Sequence, residues 1–175
     1  MTETLENVPL QIEIDEHLET GRTIDMSIKG SGGQTWFHKG IILNLEANTH
    51  YHYQLKPKGG VAITRPAVFR TAPEGDADFT FSVWSDSQGH NRGAWDLAPL
   101  EPTISMMDHM VANEVDFGLT AGDLAENGSS YSDTKSYYLD RVASHLGVSA
   151  PWFVAWGNHD SGDPNAPLRL ASDMP

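Results

Sequence analysis

The sequence predicts a chain in two parts, a β-sandwich followed by an α/β unit with a largely parallel sheet. Three observations predict it. Over residues 1–73, short runs with period-two alternation are separated by turn residues. Over residues 74–175 the pattern becomes strand, helix, strand, helix, strand, the signature of parallel βαβ units. Three polar motifs each follow an apolar run: Ser85-Asp86-Ser87-Gln88, Gly122-Asp123-Leu124-Ala125-Glu126-Asn127 and Gly157-Asn158-His159-Asp160. In parallel sheets ligands gather outside the carboxyl ends of the strands, so all three motifs fall where one site would form.

In the first part, Leu10 to Ile14 and Ile24 to Ile28 alternate as half-buried strands do, and Gly30-Ser31-Gly32-Gly33 is a turn. Trp36 to Leu43, His50 to Leu55 and Ala67 to Thr71 supply three more strands, with Lys58-Gly59-Gly60 turning the chain. Tyr51 stands six residues after Leu45 at the entry to a strand. That spacing resembles the tyrosine corner of immunoglobulin-like and fibronectin type III sandwiches, whose phenol bonds back to upstream backbone. Such sandwiches have about seven strands, and five are read here, so the module is expected to be incomplete, entered at its third strand. His50 and His52 share one strand face, where a metal pair is one reading and ordinary strand residues the other. Thr71-Ala72-Pro73-Glu74-Gly75-Asp76 is a linker of proline and charged turn residues.

In the second part the strands are Phe79 to Trp84, Phe117 to Ala121 and Trp152 to Trp156, with Trp152, Phe153 and Trp156 read as sheet core. A first helix is expected from Thr103 to Asn113, with Ile104, Met107, Met110 and Val111 on its buried face and Pro102 just before it. A second is expected from Thr134 to Leu146, with Tyr138, Arg141, Val142 and His145 near one stripe. Ser132 or Asp133 would cap it and Gly147 end it.

Composition narrows the function classes. With 24 acids against 11 bases the formal charge is −13. That field repels nucleic-acid phosphates and anionic membranes, so nucleic acid is excluded as a structural partner. No apolar run approaches the ~18 residues of a membrane span. The first residues carry no apolar core of a signal peptide. The absence of cysteine removes disulfides and thiolate zinc sites, and fits a reducing compartment without excluding export. Any metal must therefore be held by oxygen and imidazole, which suits manganese, iron, zinc or magnesium.

Taken singly, Asp86 and Asp123 read first as turn aspartates, with metal ligation the second reading. Asn158-His159-Asp160 is less ordinary: an amide, an imidazole and a carboxylate in succession directly after an apolar run. In this order the motifs resemble those of the calcineurin-like metallophosphoesterases, in the branch similar to purple acid phosphatases. The preceding residues look like the fibronectin type III domain of that branch, including the exit Phe69-Arg70-Thr71-Ala72-Pro73. The resemblance implies a fibronectin III-like, incomplete β-sandwich followed by the first half of an α/β metallophosphoesterase sandwich. It implies metal-dependent hydrolysis of a phosphorylated small molecule by water activated at two divalent or trivalent ions. Asp123 would bridge ions about 3.5–4 Å apart. Asp86 would bind the first, Asn158 the second, and Gln88 is a further candidate ligand. His159 would contact the phosphate and protonate the leaving oxygen, a task suited to a group with pKa near 6.5. Glu126 is the candidate to orient His159, and Asp160 to orient the loop.

Three departures from that pattern matter. Gln88 stands where the family often has histidine, although His90 lies nearby. Glu126 stands where purple enzymes have a tyrosine, so no purple colour is implied. The family also uses an isolated histidine and a Gly-His-x-His turn from its second half, and no histidine follows His159. The chain is thus expected to be an internal fragment with little activity alone. The rival reading is a non-catalytic binding module with a degenerate phosphoesterase part. Asn127-Gly128-Ser129 matches a glycosylation acceptor, but it abuts the candidate site and the match is short.

Overall fold

The computed structural model describes residues 2–16, 21–31, 35–88, 100–160, 163 and 165–172. The chain divides into two compact units, Met1–Asp78 and Phe79–Pro175.

The first unit is all β. Its described strands are β1 (Thr2–Thr4), β2 (Leu10–Asp15), β3 (Arg22–Asp25), β4 (Ser27–Ser31), β5 (Trp36–Lys39), β6 (His50–Pro57) and β7 (Ala67–Arg70). They form two antiparallel sheets, β1-β5-β4 and β3-β2-β6-β7. The expected count of five is therefore corrected to seven. Thr2–Thr4 lacks an apolar alternation to betray it. Ile24 to Ile28, read as one strand, is two: β3 pairs with β2, and β4 pairs with β5 in the other sheet. Period-two alternation runs unbroken across the switch and cannot reveal it. The strand from Trp36 stops at Lys39.

In β2 the register sets Ile12 opposite Leu55 and Ile14 opposite Tyr53 on β6. Ile12, Ile14 and Tyr51 are buried together, packed by Ile24, Met26, Ile42, Leu45, Leu55 and Phe69. The Tyr51 hydroxyl accepts a hydrogen bond from the Glu46 N–H at 3.0 Å. This is the back-bond to upstream backbone that the Leu45–Tyr51 spacing predicts.

The second unit is built on a three-stranded parallel sheet in the order β10-β9-β8, from β8 (Phe81–Trp84), β9 (Phe117–Thr120) and β10 (Trp152–Val154). Its connections are helical. α1 spans Leu100–Ala112, three residues earlier in onset than the sequence suggests, so Pro102 sits inside the first turn, where a missing N–H costs nothing. Met107 on α1 is fully buried, whereas Val111, expected on the same face, is exposed. α2 (Tyr131–Asp133) is capped by the Ser130 hydroxyl rather than by Ser132 or Asp133. It continues as a wider π-type helix over Thr134–Ala143 that buries Thr134, Tyr137, Tyr138, Arg141 and Val142. His145, expected on that stripe, is half-buried and pairs with Asp108 on α1 at 2.8 Å. A short α3 (Pro167–Ser172), absent from the sequence reading, buries Leu168 and Leu170.

One face of this sheet packs on the helices. Trp84 and Trp152 stack at 5.8 Å, and Tyr138 lies 5.0 Å from Trp152. The opposite face carries Phe79, Phe81, Val83 and Phe153, all exposed. Phe153 is thus not core, because β10 alternates and its odd residue points away from the helices.

Candidate active site

All three polar motifs lie at the carboxyl ends of the parallel strands: Ser85 follows β8, Ala121 follows β9 and Ala155 follows β10. Main-chain bonds tie the loops together. The Asp86 N–H donates to the Gly122 carbonyl at 3.0 Å, and the Gln88 N–H to the Asp123 carbonyl at 3.1 Å. The His159 N–H donates to Asp123 Oδ1 at 3.0 Å, which joins the third loop to the second.

Asp86 and Asp123 both adopt left-handed backbone, with φ of +53° and +54°. Non-glycine residues visit this region rarely, with aspartate among the more tolerant, and such residues cluster at functional sites. The glycines of the motifs are there for close approach. Gly122 has φ +104°, and a Cβ on it would lie 2.7 Å from the Gly157 nitrogen; a Cβ on Gly157 would lie 2.0 Å from Asp123 Oδ1. Only bare backbone lets the second and third loops meet at Asp123.

Asp160 is fully buried. Its Oδ1 accepts from the N–H groups of Leu124 and Ala125 at 2.8 and 3.1 Å, and its Oδ2 accepts from the Gly157 N–H at 2.9 Å. Among the described residues the hydrogen bonds of this carboxylate all come from backbone N–H groups. These bonds link the loop after β9 to the loop after β10.

His159 is half-buried beside Glu126, but the nearer partner is the main chain. Its Nδ1 lies 2.9 Å from the Glu126 carbonyl oxygen and 3.9 Å from the carboxylate Oε1. A carbonyl partner makes Nδ1 the donor and leaves Nε2 for other contacts. The Glu126 carbonyl raises the His159 pKa above its usual 6.5; partial burial opposes this, and the negative charges of Asp123, Glu126 and Asp160 add to it.

The carboxylate of Asp86 is exposed and accepts from the Ser85 hydroxyl. The Asn158 side chain is exposed, and Asp123 is half-buried. Gln88 buries its amide oxygen with no hydrogen-bond partner among the described residues. Two carboxylates and two amide oxygens would make an all-oxygen donor set, which would fit a hard cation better than a soft one. No group of three or more acids, histidines or cysteines suited to a metal occurs among the described residues. The fit therefore rests on the amides of Gln88 and Asn158 beside the two aspartates. His90 lies outside the described residues.

Sequence reasoning missed Arg141. It is 1% exposed, and its Nη1 donates to the carbonyl of Ser87, between Asp86 and Gln88. A charged residue on the buried stripe of a helix was the available signal.

Comparison with known proteins bears on this arrangement. In fold the chain is similar to purple acid phosphatase PPD1 from seeds of yellow lupin (Lupinus luteus). The TM-score is 0.69, with 14% identity, over 93% of this chain and 34% of that one. The chain spans about a third of that protein's length. No curated protein matches the sequence. A family model for calcineurin-like phosphoesterases matches residues 80–173, which takes in all three motifs and most of the second unit. By that match, the chain belongs to the calcineurin-like phosphoesterase family.

Proposed function

We propose that this chain contributes part of the active site of a metal-dependent phosphoester hydrolase. The observation that carries the reading is the junction at Asp123. Its carboxylate receives the His159 N–H, its own carbonyl receives the Gln88 N–H, and Gly157 packs against it without a side chain. Loops from three strand ends, each carrying a candidate ligand, are thus joined at Asp123, which supports the reading. Membership of the phosphoesterase family supports the same reading.

On this reading Asp86, Gln88, Asp123 and Asn158 would hold two metal ions, manganese, iron, zinc or magnesium, with Asp123 as the ligand common to both. Bound there, the ions would supply an activated water and neutralise charge on the phosphoryl oxygens. His159, held through Nδ1 by the Glu126 carbonyl, turns Nε2 toward substrate and donates a proton to the leaving oxygen. Asp160 fixes the loops that carry Asp123 and His159. The substrate class is a phosphorylated small molecule. The chemistry belongs to a centre with additional ligands, because four oxygen donors do not fill the coordination of two ions. The 175-residue chain alone is accordingly expected to turn over slowly. The first unit, with its two sheets and tyrosine back-bond, is proposed to be fibronectin III-like, and the second the first half of an α/β metallophosphoesterase sandwich.

The test uses the full-length protein loaded with manganese, iron or zinc, with hydrolysis of an aryl phosphate as readout. Asp123→Asn is expected to lose at least the roughly 10–100-fold that removal of an outer metal partner costs. His159→Ala is expected to lose turnover while still binding metal. Unchanged turnover in Asp123→Asn would sink the bridging role.

A further inference from the structure

We propose that Arg141 is a positioning residue that sets the Asp86–Gln88 loop for metal binding. This rests on the metal-centre reading above.

The helix Thr134–Ala143 packs Tyr138 against Trp152 of β10 and brings Arg141 to the first motif. The guanidinium donates through Nη1 to the Ser87 carbonyl. Ser87 is itself buried, so its carbonyl is held from the interior while its neighbour Asp86 is exposed. The loop is pinned from the other side by the Asp86 N–H on Gly122 and the Gln88 N–H on Asp123. Arg141 is thus the side-chain member of a clamp whose other members are main chain. Its position between two candidate ligands fixes both at once.

Stability alone does not account for an arginine here. Its Nε and Nη2 have no hydrogen-bond partner among the described residues, and no acid among them forms an ion pair with it. Its other contact is the face of the Tyr137 ring, 4.9 Å from the guanidinium carbon. A buried charge so poorly compensated opposes folding, and an apolar side chain of similar volume is often no worse for stability. A residue kept at such a cost makes sense if its single strong bond to the Ser87 carbonyl is what matters. The π-type winding of its helix agrees with this, since such turns recur at functional sites.

The experiment measures manganese binding by titration calorimetry and thermal unfolding on the same samples of the full-length protein. Arg141→Met keeps the packing over Tyr137 and removes the donor. It is expected to bind manganese about 10–100-fold more weakly, with a thermal midpoint equal to or above the parent's. Arg141→Lys, which keeps one charged donor, is expected to recover most of that loss. Val142→Ala, a neighbouring buried change that does not touch Ser87, is expected to lower the midpoint and leave manganese affinity alone. The inference fails if Arg141→Met binds manganese within twofold of the parent. It fails equally if Arg141→Lys binds no better than Arg141→Met, or, should Arg141→Met not fold, if Arg141→Lys and Val142→Ala lower affinity alike. A parent that binds no manganese instead removes the metal centre on which the inference stands.

Discussion

A carboxylate whose hydrogen bonds among the described residues all come from backbone N–H groups is the clearest residue-scale device in this protein. Asp160 receives three such bonds, from Leu124, Ala125 and Gly157, in a fully buried position. Replacing it by Asn sets an amide NH2 against at least one of those donors. The expected loss is about 1–3 kcal/mol, the cost of leaving a buried donor unsatisfied. Asp160→Ala is expected to cost more, since it orphans all three. Urea denaturation of the variants measures both, and an Asn variant as stable as the parent would contradict the assignment. Gly157→Ala acts on the same junction: its methyl would fall 2.0 Å from Asp123 Oδ1, so Asp123 must move. A loss of manganese affinity with secondary structure retained is the expected result. At this scale the sequence singled out Asn158, His159 and Asp160 because that succession is costly in a plain turn, and Asp123 only through the order of the three motifs. It could not disclose that Glu126 meets His159 through its carbonyl, because main-chain contacts leave no trace in side-chain identity. Glu126→Gln is accordingly expected to perturb the site less than a carboxylate–imidazole pair would suggest.

Between elements, legibility depended on what each pattern encodes. The helix carrying Arg141 was visible in its buried spacing, and the tyrosine back-bond in the Leu45–Tyr51 interval. The switch between β3 and β4 was not, because a strand that leaves one sheet for another keeps its alternation. Strand β1 is three residues long, too short for any period to register. β5 offers a prediction of its own. Its His38 is fully buried; Nε2 lies 2.7 Å from Thr4 Oγ1 on β1, and Nδ1 has no partner among the described residues. Burial pulls its pKa below the usual 6.5. The unfolded chain then binds more protons than the folded one at pH below about 6.5, so stability is lost as pH falls through that value. His38→Gln keeps a polar contact to Thr4 but cannot titrate. Urea midpoints between pH 7.5 and pH 5 are expected to fall more steeply in the parent than in the variant. Parallel slopes would mean that His38 titrates alike in both states.

At the scale of the whole chain, the net charge was legible, whereas the destination of the sheet's second face was not. The sequence places no apolar surface on one side of this sheet rather than the other. Exposed apolar surface lies across one face, on Phe79, Phe81, Val83 and Phe153, because period two sends alternate residues of β8 and β10 away from the helices. The division into Met1–Asp78 and Phe79–Pro175 carries the last prediction. Asp86, Gln88, Asp123 and Asn158 all lie in the second unit, so a metal held by them is expected to stabilise that unit and not the first. A ligand at a hundredfold excess over its Kd adds about 2.7 kcal/mol to the state that binds it. Scanning calorimetry of the protein is therefore expected to resolve one transition that rises with manganese and one that stays fixed. Tryptophan fluorescence helps to assign them, because Trp84, Trp152 and Trp156 lie in the second unit and Trp36 in the first. Asp123→Asn is expected to abolish the shift without removing either transition. A manganese-dependent rise that survives in Asp123→Asn would place the bound ion elsewhere, and a rise in both transitions together would mean that the two units unfold as one.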